Sequence, residues 1–482
     1  VGQGVIFDLR QQLYAHLQRL SFSFYDRHRT GELMSRVTQD VEVLRRFWSF
    51  ALPNIILNAV TLAAVLALML TVHWRLTLLT LSVVPWVTLV LVHFSRRVRP
   101  AFAAIQDRLA TLTAVLEENV SGSRIVRAFT GEAAERRRFA AANAGFMEQN
   151  VLAIRLWAFY FPFINFVTAV AVAVLIGYGG YEVIAGRLTL GYLIAFHVYL
   201  QMLLVPLRMV GWLANLTSRA AAASQRIFEL LDTEPEIRVP ARPRAVGRLR
   251  GHVRFERVSF GYADGRLVLR EVDLDIAPGE RVLVLGPTGS GKTTAMLLLG
   301  RFYDPTAGCV RIDGFDLRSL VPADLRRQVA FVFQETLLFS ASIRDNIAFA
   351  KPQATQAEIE MAARCAGIHD FIVTLPAGYD ERIGERGVGL SGGQKQRLAI
   401  ARALLADPAI LVLDDATASV DAETEREIHQ ALSRALAGRT LFIITQRPQA
   451  VPDVDRVIVF NQGRVVEDRR YPAADRLRAG RG

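Results

Sequence analysis

The residues best suited to chemistry lie in the second half of the chain, in short polar runs bounded by apolar ones. The first is Gly286-Pro287-Thr288-Gly289-Ser290-Gly291-Lys292-Thr293-Thr294, entered directly from the apolar run Arg281–Leu285. Glycines at this spacing let backbone N–H groups converge on phosphate oxygens where a side chain would block the approach. A helix starting here adds the positive end of its dipole. Lys292 can neutralise the outer phosphates of a nucleoside triphosphate, and the Thr293 hydroxyl can bind Mg²⁺. The second run, Leu390-Ser391-Gly392-Gly393-Gln394, opens the helical stretch KQRLAIARALL. Ser391 suits the N-cap, and an exposed Ser-Gly-Gly helix start is a further anion site. The third follows the apolar run 410–413 and reads Asp414-Asp415, two carboxylates at a strand's C-terminal end, with Asp414 the natural Mg²⁺ partner. Gln334, just after the strand-like FVF, offers a neutral oxygen to Mg²⁺ or to an attacking water.

These runs need a scaffold of strands and helices, and the sequence supplies one from about residue 251 onward. Val253, Phe255, Val258 and Phe260 alternate with polar residues, as in a half-buried strand. The strand–loop–helix context of the glycine-rich run is the one that a phosphate-binding loop requires. An α/β P-loop nucleotide-binding domain over 251–482 is therefore expected, with ATP and Mg²⁺ as its ligands. Residues 232–250 contain three prolines and no apolar periodicity, and read as a linker.

The first half is of another kind. The chain has 482 residues, too many for one ordinary domain, and 51% of them are hydrophobic, concentrated before about residue 215. Residues 47–74, 76–95, 156–181 and 188–207 contain no Asp, Glu, Lys or Arg. Each is long enough to cross a bilayer, which takes about 20 apolar residues. Arginines crowd the segments before residue 47 (Arg10, Arg19, Arg27, Arg29, Arg36, Arg45, Arg46) and between 96 and 155, whereas the two short connections hold Arg75 and Arg187. Positive charge stays on the cytoplasmic side, so the long segments are cytoplasmic and the short ones face outward. Leu109, Leu112, Leu116 and Val120 recur at helical spacing there, so helices are expected to project from the membrane. A transmembrane domain over 1–231 is expected, in the cytoplasmic (inner) membrane, with the nucleotide-binding domain in the cytoplasm. Asn54, Asn58, Asn165, His197 and Gln201 stand out among the polar residues inside the spans; they could line a substrate path or bond helix to helix.

A net charge of +11 would also suit nucleic acid, but its placement beside apolar runs assigns it to the membrane. No nucleic-acid partner is expected. The two cysteines, Cys309 and Cys365, form no disulfide framework or zinc spacing, as suits a reducing cytosol. The absence of carboxylates from the apolar runs argues against a proton-coupled or small-cation carrier.

The order and spacing of these motifs make the whole chain resemble an ATP-binding cassette exporter half-transporter, of the multidrug or lipid type. The resemblance implies a helical transmembrane bundle followed by the α/β domain. Residues 1–10 resemble the end of the family's second span, so four of six spans are expected here. In that family LSGGQ is the signature that completes the ATP site of the opposite subunit, which accounts for a second anion site in one chain. The resemblance further implies that Tyr262 stacks on adenine, that Gln334 is the glutamine of the Q-loop, and that Asp421 belongs to the D-loop. The segments around 26–32 and 127–135 match the cytoplasmic coupling helices.

Two positions depart from the family pattern. Where the family has the glutamate that orients or deprotonates the attacking water, this chain has Asp415; where it has the switch histidine, this chain has Gln446. Both changes spare ATP binding and weaken hydrolysis at the same half-site, while LSGGQ is intact. The expectation is an ATP-driven exporter of a hydrophobic, drug- or lipid-like substrate, paired with a second homologous half-transporter, a heterodimer rather than a homodimer. The alternative is a nucleotide-binding regulatory or channel-like subunit with little turnover. A soluble cassette ATPase does not fit four charge-free spans.

Overall fold

The computed structural model describes residues 2–263, 265–384, 389–416, 425, 428, 431–432, 438–445 and 454–471. The chain forms two units, Val1–Tyr14 with Leu33–Asp232, and Ala15–Glu32 with Thr233–Gly482. The expected boundary near residue 231 is close to this division, except that 15–32 packs with the second unit rather than the first.

The first unit is helical. Three of its helices, Thr30–Leu81, Glu132–Ile184 and Leu190–Leu231, are long and apolar enough to cross a membrane. At 1.5 Å per residue the 53 residues of Glu132–Ile184 extend about 80 Å, against a hydrocarbon core of about 30 Å. Its charged N-terminal part, 132–155, must therefore project beyond the bilayer.

The expected span 76–95 is divided between the helices Leu52–Leu81 and Val84–Ser121. Pro85, in the first turn of the second, has no N–H to continue the ladder, so a new helix begins there. A sharper break lies at His73, where φ is −158° and ψ is 91°, close to the outward connection expected at Arg75. Side chains take over the freed backbone groups: Leu76 N donates to His73 Nδ1 (3.2 Å), and Thr77 Oγ1 donates to Met69 O (2.7 Å). Met69, Leu76 and Thr77 are fully buried, so these backbone groups must find their partners within the protein.

Met69 and Leu76 pack with Leu175, Phe196 and Leu200 in one buried cluster. Many large apolar side chains face outward instead, among them Leu57, Trp86, Phe159 and Phe166. Such a surface suits lipid and not water. Glu182, one residue past the expected third span, is 4% exposed and accepts two hydrogen bonds from Arg187 (2.6 and 3.2 Å), which offset its burial. Asn54 Nδ2 bonds Phe50 O within its own helix, Asn165 and Gln201 are exposed, and Asn58 Nδ2 and His197 Nδ1 have no hydrogen-bond partner among the described residues.

The second unit is built on two sheets. One is antiparallel, with strands β1 (Val253–Gly261), β2 (Leu267–Ile276), β4 (Ala307–Ile312) and β5 (Phe315–Asp316) in the order β2-β1-β4-β5. The other contains β3 (Arg281–Leu285), β6 (Val329–Val332), β7 (Ile410–Asp414), β8 (Thr440–Ile444), β9 (Arg456–Asn461) and β10 (Arg464–Arg470), ordered β10-β9-β3-β8-β7-β6. All but β10 pair in parallel. The sequences ILVLD and TLFII are buried throughout, as strands covered on both faces must be. Linker residues are strapped to this unit: Leu249 N donates to Gln328 Oε1 (2.7 Å), and Arg301 Nη2 to Arg238 O (3.2 Å).

Phe442, at the middle of the central strand β8, is fully buried. Phe442→Ala is expected to lower stability by about 3–5 kcal/mol through lost burial and the cavity left behind. Denaturant unfolding checks this; a loss under about 1 kcal/mol would mean that the core collapses to fill the gap.

Candidate functional site

The site forms where the parallel strands end. Val284 of β3 and Asp414 of β7 both register with Ile444 of β8, so the loop after β3 and the end of β7 lie at one level, two strands apart. β6 brings its end to the same edge, since Val332 registers with Leu413. Gln334 follows two residues later and is exposed.

The glycine-rich loop takes the conformations its composition allows. Gly286 has φ +142°, and a Cβ there would lie 2.2 Å from Phe460 O. Gly291, at φ +102°, would meet Leu269 Cδ2 at 2.7 Å as it caps the helix Lys292–Leu299. Gly289 is open and exposed, as are Pro287, Thr288 and Thr293. Lys292 is 8% exposed; its ammonium donates to Gly286 O (2.8 Å) and Pro287 O (2.9 Å), folding back across the loop. Ser290 Oγ is buried without a hydrogen-bond partner among the described residues, an unmet polar atom inside the cradle. A loop of this shape, with a buried cation and an unsatisfied hydroxyl, fits a bound phosphate chain.

Thr293 Oγ1 donates to Asp414 Oδ2 at 2.8 Å, so the loop helix and β7 are joined through two hard oxygen atoms. Oxygen pairs of this kind hold Mg²⁺ with few protein ligands, leaving the remaining positions to water and phosphate. Asp414 is 7% exposed. Burial raises its carboxyl pKa, the Thr293 hydrogen bond opposes this, the neighbouring Asp415 charge adds to it, and Lys292 relieves it.

Asp415 sits at φ +42°, a left-handed conformation that aspartate tolerates better than most side chains. Its N–H donates to Ile444 O (3.0 Å), and its carbonyl lies 3.5 Å from Gln396 Nε2. The backbone that carries the second carboxylate is thereby fixed. Gln446 and Asp421 lie outside the described residues.

Tyr262 is half-buried, and its hydroxyl shares a hydrogen bond with Thr294 Oγ1 (3.1 Å). Its ring meets Phe260 edge-on at 5.0 Å.

Ser391 caps the helix Gly392–Leu405 in a reciprocal box: Gln394 N donates to Ser391 Oγ (3.3 Å), and Ser391 N to Gln394 Oε1 (2.8 Å). Ser391 and Gly392 are exposed, and Gly393 is buried. Among the described residues no hydrogen bond joins Ser391, Gly392, Gly393 or Gln394 to the glycine-rich loop. The sequence thus yields two anion-type helix starts in one chain, and the fold leaves them unengaged with each other.

One contributor escaped the sequence. Gly463, in the turn between β9 and β10, donates its N–H to Ser290 O (3.1 Å), and a Cβ there would lie 2.3 Å from Val268 O. The Asn461-Gln462-Gly463 run reads as a hairpin turn. Nothing local announces that it buttresses a loop more than 170 residues earlier.

Known proteins resemble the chain over nearly all its length. The ABC transporter transmembrane region family matches residues 1–207, and the ABC transporter family matches residues 269–418. The uncharacterized ABC transporter ATP-binding protein YknU of Bacillus subtilis (strain 168) is 39% identical over 97% of this chain and 80% of its own. The ATP-dependent lipid A-core flippase of Syntrophus aciditrophicus (strain SB) is also 39% identical, over 97% of this chain and 78% of its own. Among solved structures, a bacterial Atm1-family ABC exporter with ATP bound aligns with a TM-score of 0.80 at 31% identity, covering 97% of this chain and 82% of that one.

The buried Asp414 carboxylate gives this site a measurable signature. A carboxyl whose pKa is raised on folding weakens the fold above that pKa, and the deficit shrinks as pH falls through it. Asp414→Asn keeps an acceptor for Thr293 and removes the charge. Without divalent cations, its melting temperature is expected to exceed that of the unaltered protein at neutral pH, with the gap closing toward acid. Thermal unfolding across pH checks this, and a lower melting temperature at neutral pH would contradict it.

Proposed function

Because the chain belongs to the ABC transporter family, as an exporter with a transmembrane region and an ATP-binding domain, we propose that it is the weakly hydrolysing subunit of an asymmetric exporter pair. Its activity is ATP hydrolysis coupled to transport. It is a multi-pass protein of the cytoplasmic membrane, with the ATP-binding domain in the cytoplasm.

In this reading the backbone N–H groups of 286–291 and the Lys292 ammonium hold the phosphates of ATP, and Tyr262 takes the adenine. Thr293, Asp414 and Gln334 hold Mg²⁺, which when bound neutralises charge on the phosphate oxygens. Asp415 orients the attacking water, and Gln446 donates a hydrogen bond toward the outer phosphate. Ser391, Gly392, Gly393 and Gln394 serve the partner's ATP site. The exposure of Ser391 and Gly392, and the lack among the described residues of hydrogen bonds from the four to this chain's own loop, support that assignment.

The observation that carries the proposal is Asp415. Its side chain is one methylene shorter than glutamate, which draws the carboxylate back by about 1 Å. A misplacement of about 1 Å costs on the order of 100-fold in rate, or about 2.7 kcal/mol of barrier. The backbone cannot slide forward to compensate, because Asp415 N is bonded to Ile444 O and its φ is already left-handed. Gln446, neutral at any pH, forgoes the electrostatic share of stabilisation that a protonated histidine brings. The partner is a second homologous half-transporter carrying Glu and His at these positions and an altered signature.

The substrate is hydrophobic, drug- or lipid-like. Support comes from a relative named as a lipid A-core flippase.

Restoring both residues tests the proposal. In single-turnover release of phosphate from pre-bound ATP by the native complex, a slow phase belongs to this chain's own site. Asp415→Glu combined with Gln446→His is expected to accelerate that phase by about 100-fold. An unchanged rate would contradict the weakened site and favour a regulatory or channel-like subunit.

A further inference from the structure

Across 47–95 and 156–207 the chain carries three charged residues, Arg75, Glu182 and Arg187, and all three lie near His73. The His73 side chain is 17% exposed, and its Nε2 is 3.8 Å from Glu182 Oε2. Glu182 takes hydrogen bonds from Arg187 and from Tyr178. Arg187 also lies over the Tyr181 ring at 5.5 Å, and Arg75, two residues past His73, lies over Trp74 at 5.3 Å. Over the same ranges the helices Val84–Ser121 and Leu190–Leu231 bring no charged residue. Their titratable side chains are His93, which faces Tyr160 at 5.9 Å, and His197, Tyr192 and Tyr199. The helix Thr30–Leu81 leaves the excursion 15–32, which packs with the ATP-binding unit, so its apolar crossing carries His73 to the outer side.

His73 is more than a neighbour of these charges. Its backbone is extended between two helical stretches, and its Nδ1 accepts the N–H of Leu76, three residues on. These are the conformation and the bond of a helix N-cap, with Leu76 at the third helical position. Leu76 is fully buried, so water cannot stand in for this acceptor.

An imidazole nitrogen accepts only while it carries no proton, so the cap requires a neutral ring with its hydrogen on Nε2. A proton on Nδ1 turns the acceptor into a donor that faces the Leu76 N–H. It also sets a positive charge at the positive end of the helix. Glu182 attracts such a cation, but its carboxylate is already bonded to Arg187 and Tyr178, and the Arg75 and Arg187 guanidiniums oppose it. Histidine is the side chain that changes charge between pH 5 and 8. We propose that His73 is a pH-sensitive cap on the outer face: neutral, it holds the turns 74–81, and protonated, it releases them, so that external acid loosens the outer end of this membrane unit.

Hydrogen exchange of the native complex in lipid nanodiscs tests it, at about pH 7.5 and about pH 5.5, the two sides of histidine titration. Rates are corrected for the intrinsic effect of pH and read in a peptide covering 74–82. In the unaltered protein, protection of this peptide is expected to fall about tenfold at the lower pH, the scale of a lost cap with a charge at the helix end. His73→Asn supplies an acceptor that does not titrate. It is expected to keep protection within about twofold of the unaltered protein at neutral pH and to abolish the fall. His73→Ala removes the acceptor, so protection is already about tenfold lower at neutral pH and changes little with acid. A peptide covering 156–170 is expected to stay unchanged throughout. The proposal is overturned if protection of 74–82 is equal at the two pH values in the unaltered protein, or falls equally in His73→Asn. Full protection in His73→Ala at neutral pH, or a parallel fall at 156–170, would overturn it as well.

Discussion

The hydrogen bond from Thr293 to Asp414 joins two strands' ends across the strand between them, and the site depends on that closure. Three buried parallel strands, β3, β8 and β7, end in register. The Thr293 hydroxyl, in the first turn of the helix after β3, is thereby held against a carboxylate at the end of β7. Neither residue could do this alone: Thr293 is exposed in the first turn of the helix Lys292–Leu299, and Asp414 is buried at a strand terminus. The arrangement concentrates charge where water is scarce, which is why the Asp414 carboxyl titrates high. A divalent cation and a phosphate chain would relieve that strain and give the Ser290 hydroxyl a partner.

The helical unit is ruled by a different constraint, the need to satisfy every backbone group where water is absent. His73 and Thr77 show how a helix can break at such a place, by exchanging backbone bonds for side-chain ones. The Glu182–Arg187 pair does the same for a buried charge near the end of the long helix Glu132–Ile184. The excursion 15–32 leaves this unit and returns to it, packing with the ATP-binding unit in between. Through Asp26 it accepts a hydrogen bond from Tyr303, whose ring meets Tyr262.

Much of this was legible in the sequence because its signals are local. Phosphate-loop glycines, the Asp414-Asp415 pair and the Ser391 cap each carry their chemistry within a few residues. The charge-free runs 47–74 and 156–181 each fall within a helix long and apolar enough to cross a membrane, and 188–207 overlaps a third. What escaped depends on distant parts of the chain. The span expected over 76–95 was drawn through Pro85, because continuous apolarity outweighed the missing N–H in the reading. Glu182 ends the charge-free run 156–181, and its pairing with Arg187 exists only in the fold. Gly463 looked like any hairpin glycine, since its contact with Ser290 exists only once β9 lies beside β3. The bond of Tyr262 to Thr294 requires the end of β1 to lie near the helix Lys292–Leu299. Residues 15–32 were read as part of the membrane domain by sequence continuity, which carries no information on where an excursion packs.

The central claim is that this chain works beside a different one, its weak site compensated by a partner's strong one. The most direct test is the subunit composition of the native complex. The full-length protein, tagged at its C-terminus and purified from its own membranes in mild detergent, would be analysed by mass spectrometry for co-purifying chains. The account predicts a second, homologous half-transporter at one-to-one stoichiometry. Recovery of this chain alone would contradict it, and would mean a homodimer in which both ATP sites carry Asp415 and Gln446.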